Sequence, residues 1–159
     1  MSKFKNAILL STAFGLAATF AFAGTHGPTP EERAIKARQS QMTLYAFNIG
    51  PLVGMAKGEI DYDAQAAAQA ANNLVTLASV DMAAAWMEGT DNFEMEGTRA
   101  LAAIWSDDPA KVVEKSKALT DALQALALVA GTDLAGLRGA VGPVGQACGA
   151  CHKAYRISQ

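Results

Sequence analysis

The chain has 159 residues, of which 51% are hydrophobic and 7% aromatic, and it carries a formal net charge of −2. This length fits one domain with a sizeable core. The slight acidic excess argues against nucleic acid as a partner. Alanine, leucine and other good helix formers dominate, whereas β-branched and aromatic residues are too sparse for a sheet, so the predicted fold class is all-α.

The first 23 residues have the pattern of a secretory signal peptide. Lys3 and Lys5 precede an apolar run over residues 7–22, which closes on the small-x-small sequence Ala21–Ala23. The alternative is an uncleaved membrane anchor, but the run is short, is interrupted by polar residues and lacks a basic flank after it. We therefore expect removal of residues 1–23 and a periplasmic domain over residues 24–159, with no membrane association. That domain has eleven basic and fifteen acidic side chains, a formal charge of −4.

Four helices are predicted from capping residues and from apolar stripes that recur every three or four positions. The helices begin at Pro30 after Thr29, after Asp61 or Asp63, at Pro109 after Asp108, and after Thr132 or Asp133; they end near Lys57, Val80, Gly131 and Tyr155. Such stripes pack best as an antiparallel four-helix bundle with one longer crossover.

Two features should disturb this regular pattern. Gly50–Pro51 and Gly142–Pro143 lie inside the first and fourth helices, where proline should kink the helix without ending it. Residues 81–104 contain several helix breakers, and so long an irregular segment in a compact domain is often functional. Its acidic part, Glu94–Glu96, is either a contact for a partner or an ordinary exposed loop.

The motif that carries chemistry is Cys148–His152, which has the C-x-x-C-H form of c-type haem attachment. Residues three apart on a helix project from one side, so both thiols can reach the vinyl groups on one porphyrin edge. The next residue, about 100° further round, directs its imidazole to the iron. The motif predicts one covalently bound haem c, held by Cys148 and Cys151, with His152 as the axial iron ligand.

Three other interpretations of the cysteines fail on context. A thioredoxin-like redox pair expects a βαβ setting, and a zinc site needs further ligands that no other cysteine can supply. A disulfide across one helical turn would constrain almost nothing. Haem attachment is therefore the favoured interpretation.

The side of the iron opposite His152 either has a second protein ligand other than histidine or has none. The only other histidine, His26, lies just after the predicted cleavage site and is a poor ligand candidate. Arg38 lies on the apolar stripe of the first helix, where its guanidinium either meets an anion such as a haem propionate or reaches water at the helix start. Met42, one turn later, could bind iron through its thioether or simply line the pocket.

These residues occur in an order that resembles the cytochrome c′ family. The matching segments are Ala34–Met42, Lys57–Gly58, Ile104–Ser106 and Cys148–Arg156, and the resemblance covers about Pro30 to Arg156. It implies a four-helix bundle, often a homodimer, with the haem near the C-terminal helix. The two internal prolines depart from the family pattern.

The resemblance also implies roles for individual residues. It places Arg38 and Gln39 by the propionates, Met42 on the vacant distal side, Arg156 near the proximal His152, and Arg99 and Leu101 along the haem edge.

Two functions are then expected as alternatives. In the favoured one, the iron is five-coordinate and an apolar distal site binds nitric oxide or carbon monoxide. In the other, Met42 completes a low-spin His/Met centre and the protein is a periplasmic electron carrier. No nucleophile with an adjacent base is evident, so an enzyme is not expected. The periplasmic redox partner is not predictable from the sequence.

Overall fold

The computed structural model describes residues 27–158. The predicted signal peptide and His26 lie outside these residues. The described part is helical and has no regular strand. Its helices are α1 (Pro30–Lys57), α2 (Ala64–Ser79), the single turn α3 (Ala103–Ser106), α4 (Pro109–Val129) and α5 (Leu134–Tyr155), with a 3-10 turn at Ala83–Ala85.

Side-chain caps explain where the four long helices begin. Thr29 and Glu32 form a reciprocal capping box at the start of α1, and Pro30 occupies the first helical position. Asp63 caps α2 by accepting a hydrogen bond from the backbone N–H of Ala66 at 2.9 Å. Asp133 likewise caps α5. Of the alternatives left open by the sequence, the structure thus selects Asp63 and Asp133.

Neither internal proline ends its helix. Pro51 lies within α1 and Pro143 within α5, and both helices continue beyond them. The first helix ends instead at Gly58, which adopts a left-handed conformation with φ 77°. The predicted continuation of both helices is confirmed.

The four long helices form an antiparallel bundle in which α1 and α4 each contact both α2 and α5. The hydroxyl of Tyr62, just before α2, donates to the carbonyl of Ala130 at 2.9 Å, so the start of α2 lies beside the end of α4. Arg138 Nε donates to the carbonyl of Ala56 at 2.7 Å, so the start of α5 lies beside the end of α1. The innermost side chains are Leu52, Leu74, Leu123, Leu126, Leu137 and Val144. The predicted fold is confirmed.

The crossover segment, residues 80–108, joins α2 to α4 at the other end of the bundle. The same end holds the start of α1 and the last turns of α5, which carry the cysteines and His152. The fold thus brings the irregular segment to the haem-attachment motif. Within residues 27–158 no helix combines the length and apolar character needed to cross a bilayer.

Candidate haem site

Cys148, Cys151 and His152 lie in the last two turns of α5, and each is partly buried. The two cysteines are not joined in a disulfide. Their spacing on a continuous helix places both sulfurs on one side, as the motif requires. Among the described residues no group of three or more His, Cys, Asp or Glu side chains could hold a metal ion.

Both thiols lie in surroundings that favour the protonated form. Burial, and secondarily the neighbouring Cys151, raises the pKa of Cys148. Burial also raises the pKa of Cys151, with Lys115 opposing that effect. A redox-active pair depends on a thiol of lowered pKa. The shifts of both thiols are thus opposite in direction to the lowered thiol pKa of a redox-active pair.

The surroundings of His152 favour the neutral form of its imidazole. Burial, followed by the positive charges of Arg156 and Arg99, lowers its pKa from the ordinary value of 6.5. The sign follows from the chemistry, since both desolvation and a nearby cation disfavour imidazolium. Neutral imidazole is the form that binds a metal ion. The structure therefore brings the predicted Arg99 and Arg156 together beside the predicted ligand.

A short antiparallel pairing fixes the crossover segment to the end of α5. The N–H of Leu101 donates to the carbonyl of Tyr155, and the N–H of Ile157 donates to the carbonyl of Arg99, each at 3.0 Å. Arg99 Nη2 also donates to the carbonyl of Ile157 at 2.7 Å. Ala100 and Arg156 form the intervening bridge. The predicted Arg99 and Leu101 thus reach the motif mainly through backbone contacts.

A second link joins α5 to the start of α4. The hydroxyl of the buried Tyr155 donates to Asp107 Oδ2 at 3.0 Å. Lys111 Nζ lies 2.8 Å from Asp107 Oδ1. The hydrogen bonds from Lys111, from the Asp108 N–H and from Tyr155 lower the pKa of Asp107. This carboxylate keeps the residues after His152 packed against the bundle.

The guanidinium of Arg38 is buried, with 4% of the residue exposed. Nη1 donates to Thr90 Oγ1 at 2.6 Å and to the carbonyl of Ala85 at 3.2 Å. Nη2 donates to Thr98 Oγ1 at 2.9 Å and to the carbonyl of Thr90. The alternative in which the head group reaches water is wrong. Its partners among residues 27–158 are neutral oxygens, and contact with a propionate stays a prediction.

Two indole rings complete the surroundings of this guanidinium. Its Cζ lies 5.2 Å from the ring centroid of Trp86 and 5.8 Å from that of Trp105, within the range of cation–π attraction. Trp105 Nε1 donates to the carbonyl of Trp86 at 2.9 Å. We call this set the Arg38 cage; its members are Ala85, Trp86, Thr90, Thr98 and Trp105.

Gln39 and Met42 follow Arg38 on α1 and differ in their surroundings. Gln39 Nε2 donates to the carbonyl of Gly97 at 2.6 Å, so it too contacts the crossover segment. Met42 is 40% exposed, although it lies on the inward stripe between the buried Arg38 and the partly buried Tyr45.

The chain matches the family model described as Cytochrome C′ over residues 33–156. The chain belongs to the cytochrome c′ family. A cytochrome c′ from Cereibacter sphaeroides is 40% identical over 128 residues, covering 80% of this chain and 85% of that protein. Cytochrome c-554 from the same organism is 44% identical over 125 residues, covering 79% of this chain and 81% of that protein.

Solved structures of cytochromes c′ share the fold. The one named as from "Rhodobacter Spheriodes" is 40% identical with a TM-score of 0.79, covering 81% of this chain and 98% of that one. A carbon monoxide complex of a cytochrome c′ variant from Alcaligenes xylosoxidans is 37% identical with a TM-score of 0.70, covering 84% of this chain and all of that one. A ferrous variant from that organism carries bound nitric oxide.

The residues present fit the covalent c-type haem of the cytochrome c′ family. Two free thiols on one side of α5, followed by a neutral imidazole, form the donor set that the group requires. Cys148 and Cys151 would hold the porphyrin and His152 its iron. When bound, this group would supply an iron centre that can take up an electron or bind a small ligand.

Some residues of the site had no signal in the sequence. Thr90, Thr98 and Trp86 surround Arg38, yet they belong to a segment without helical or strand periodicity. No sequence pattern predicts a role at the site for Asp107 or Tyr155. Trp105 and Tyr155 lie in the family-matching segments Ile104–Ser106 and Cys148–Arg156, and that is the hint the sequence offers for them.

Proposed function

We propose that this protein is a periplasmic haem c protein whose iron has His152 as its single protein ligand and binds nitric oxide or carbon monoxide on the opposite side. It is a gas-binding protein and not an enzyme. The leader over residues 1–23 supports export. The observation that carries the proposal is that the chain shares its fold with cytochrome c′ variants whose structures contain bound carbon monoxide or nitric oxide.

The positions of Met42 and His152 along the bundle axis follow from the antiparallel contact of α1 with α5. Arg138 on α5 donates a hydrogen bond to Ala56 on α1. Met42 lies fourteen residues before Ala56, and His152 lies fourteen residues after Arg138. Because the helices are antiparallel, both residues lie toward the same end of the bundle. At about 1.5 Å per residue, both lie roughly 21 Å along the bundle from the contact. Met42 is therefore level with His152 and available to form the wall of a distal pocket.

An apolar wall suits neutral diatomic ligands. Such a wall has no hydrogen-bond donor to stabilise polar bound oxygen. It also places no charged group beside the ligand. Structures of variants of the related cytochrome c′ from Alcaligenes xylosoxidans contain bound carbon monoxide or nitric oxide, which supports the same ligands here.

The alternative is electron transfer by a low-spin His/Met centre. The position of Met42 level with His152 is also compatible with this function, because the thioether of Met42 would be able to bind the iron opposite His152. Relatives named cytochrome c-554, and not cytochrome c′, also match this chain at 43–44% identity.

Electron paramagnetic resonance of the ferric holoprotein, with and without Met42→Ala, separates the two functions. We expect a high-spin signal that the substitution leaves unchanged, because Met42 lines the pocket without binding iron. A low-spin wild-type signal that becomes high-spin in Met42→Ala would contradict the five-coordinate proposal and support the electron carrier.

We further propose that two copies of the chain associate through α1. Leu44 and Phe47 are 47% and 75% exposed and lie one turn apart on the same face of this helix. With the exposed Pro51 one turn further on, they form an apolar stripe that a second copy could cover.

Phe47→Glu is expected to convert the dimer to a monomer. A carboxylate buried in an apolar contact costs several kcal/mol, so the dimer dissociation constant should rise by about 100-fold or more. Sedimentation equilibrium of the holoprotein measures this. Leu128→Glu, an exposed position on α4, is the matched control and should leave the dissociation constant unchanged. Equal effects of the two variants, or a monomeric wild type, would contradict the assignment.

A further inference from the structure

We propose that Arg38 is a positioning residue, which holds the crossover segment in place and thereby fixes Arg99 beside His152. This role is separate from any contact of Arg38 with haem. It deepens the proposed function, since it rests on His152 being the iron ligand.

The first step is that Arg38 is committed to the crossover segment. A guanidinium has five N–H donors, and four of them are directed at Ala85, Thr90 and Thr98. Hydrogen bonds from a charged donor are stronger than neutral ones, and a buried guanidinium without partners is strongly unfavourable. The cage and the burial of Arg38 must therefore form together.

The second step is that the cage is continuous with the pairing at the end of α5. Thr98 Oγ1 accepts from Arg38 and also from the N–H of Ala100, at 2.9 and 3.2 Å. Arg99 lies between Thr98 and Ala100 in the sequence. Its carbonyl accepts a hydrogen bond from the N–H of Ile157, and its Nη2 donates to the carbonyl of Ile157. Thr98 of the cage directly precedes Arg99, the first residue of the pairing.

The third step concerns charge. Arg99 directly precedes Ala100, which forms a bridge with Arg156. The N–H of Arg156 donates to the carbonyl of His152 at 3.0 Å, so Arg99 is held beside the turn of α5 that carries the ligand. A fixed cation near the iron favours the reduced state, which carries one positive charge less. If the cage is lost, the crossover segment gains freedom, and the charge of Arg99 is no longer held beside the site. The midpoint potential should then fall.

The test uses the holoprotein and four variants: Arg38→Met, Thr98→Val, Arg99→Met and the double variant Arg38→Met with Arg99→Met. Amide hydrogen exchange at Leu101 and Ile157 reports the pairing directly, and redox titration reports the charge. We expect Arg38→Met to speed exchange at both amides by about tenfold or more. Thr98→Val should give a smaller change in the same direction.

The midpoint potential should fall in Arg38→Met and in Arg99→Met. The effect of Arg99→Met should largely disappear when Arg38 is already replaced, because the two residues act in series. The matched control is Arg138→Met. It removes an arginine that donates a hydrogen bond to the backbone carbonyl of Ala56 at the far end of the bundle. It should alter neither the two amides nor the potential.

A fall in potential without faster exchange would mean that Arg38 acts directly on haem, and it would overturn the proposal. Additive effects of the two arginine substitutions would overturn it as well. If Arg38→Met does not fold, Arg38→Lys and Thr98→Val decide the same question. The exchange measurement does not depend on spin state, so failure of the gas-binding function would be seen separately.

Discussion

Replacing both Cys148 and Cys151 with serine is expected to abolish covalent haem attachment completely. The two thiols are the only sulfurs placed on the same side of α5 as His152, and no other cysteine exists in the chain to substitute for them. The purified product should show the mass of the bare mature polypeptide after denaturation. Haem staining of a denaturing gel should be absent.

Single substitutions and a distant control sharpen this experiment. Cys148→Ser or Cys151→Ser alone should leave at most one thioether and a reduced yield of haem protein. The double variant Ser106→Ala with Ser116→Ala changes two serines outside the motif and should keep the full haem content. Retention of covalent haem by the double cysteine variant would contradict the assigned attachment.

Changing the size of Met42 is expected to change the affinity of the ferrous protein for carbon monoxide in a graded way. Met42→Ala removes most of the predicted distal wall and should raise the affinity by about tenfold, whereas Met42→Trp should lower it by a similar factor. Because this effect is steric, most of the change in carbon monoxide affinity should come from the association rate constant. Stopped-flow mixing with carbon monoxide measures these rates.

The matched control for this series is Leu44→Ala, two residues further along α1. Leu44 is 47% exposed and lies on the stripe proposed for self-association, so its truncation should leave carbon monoxide binding unchanged. The same change in Met42→Ala and Leu44→Ala would show that the effect reaches the iron through the helix as a whole. No change in either Met42 variant would remove Met42 from the distal wall.

The sequence predicts most of the helical framework because local chemistry determines it. Thr29, Asp108 and Gly58 act within one turn of the chain, and each acts where its residue type predicts. The same holds for Cys148 and His152, whose relation depends only on helix geometry. Where two caps were possible, as at Asp61 and Asp63, the sequence could not choose, since both offer the same carboxylate.

The surroundings of Arg38 could not be predicted for a different reason. Its acceptors Thr90 and Thr98 are 52 and 60 residues away in a segment without periodicity. The sequence did indicate that a buried arginine needs partners. It pointed to an anion, whereas the structure supplies hydroxyl and carbonyl oxygens and two indole rings.

Intact mass and visible absorption of the mature protein, made in cells that carry out cytochrome c maturation, test the central claim most directly. We predict one haem bound to a polypeptide that lacks residues 1–23, with a Soret band that survives denaturation and removal of free haem. A product with the mass of polypeptide alone and no Soret band would contradict the assignment of Cys148, Cys151 and His152.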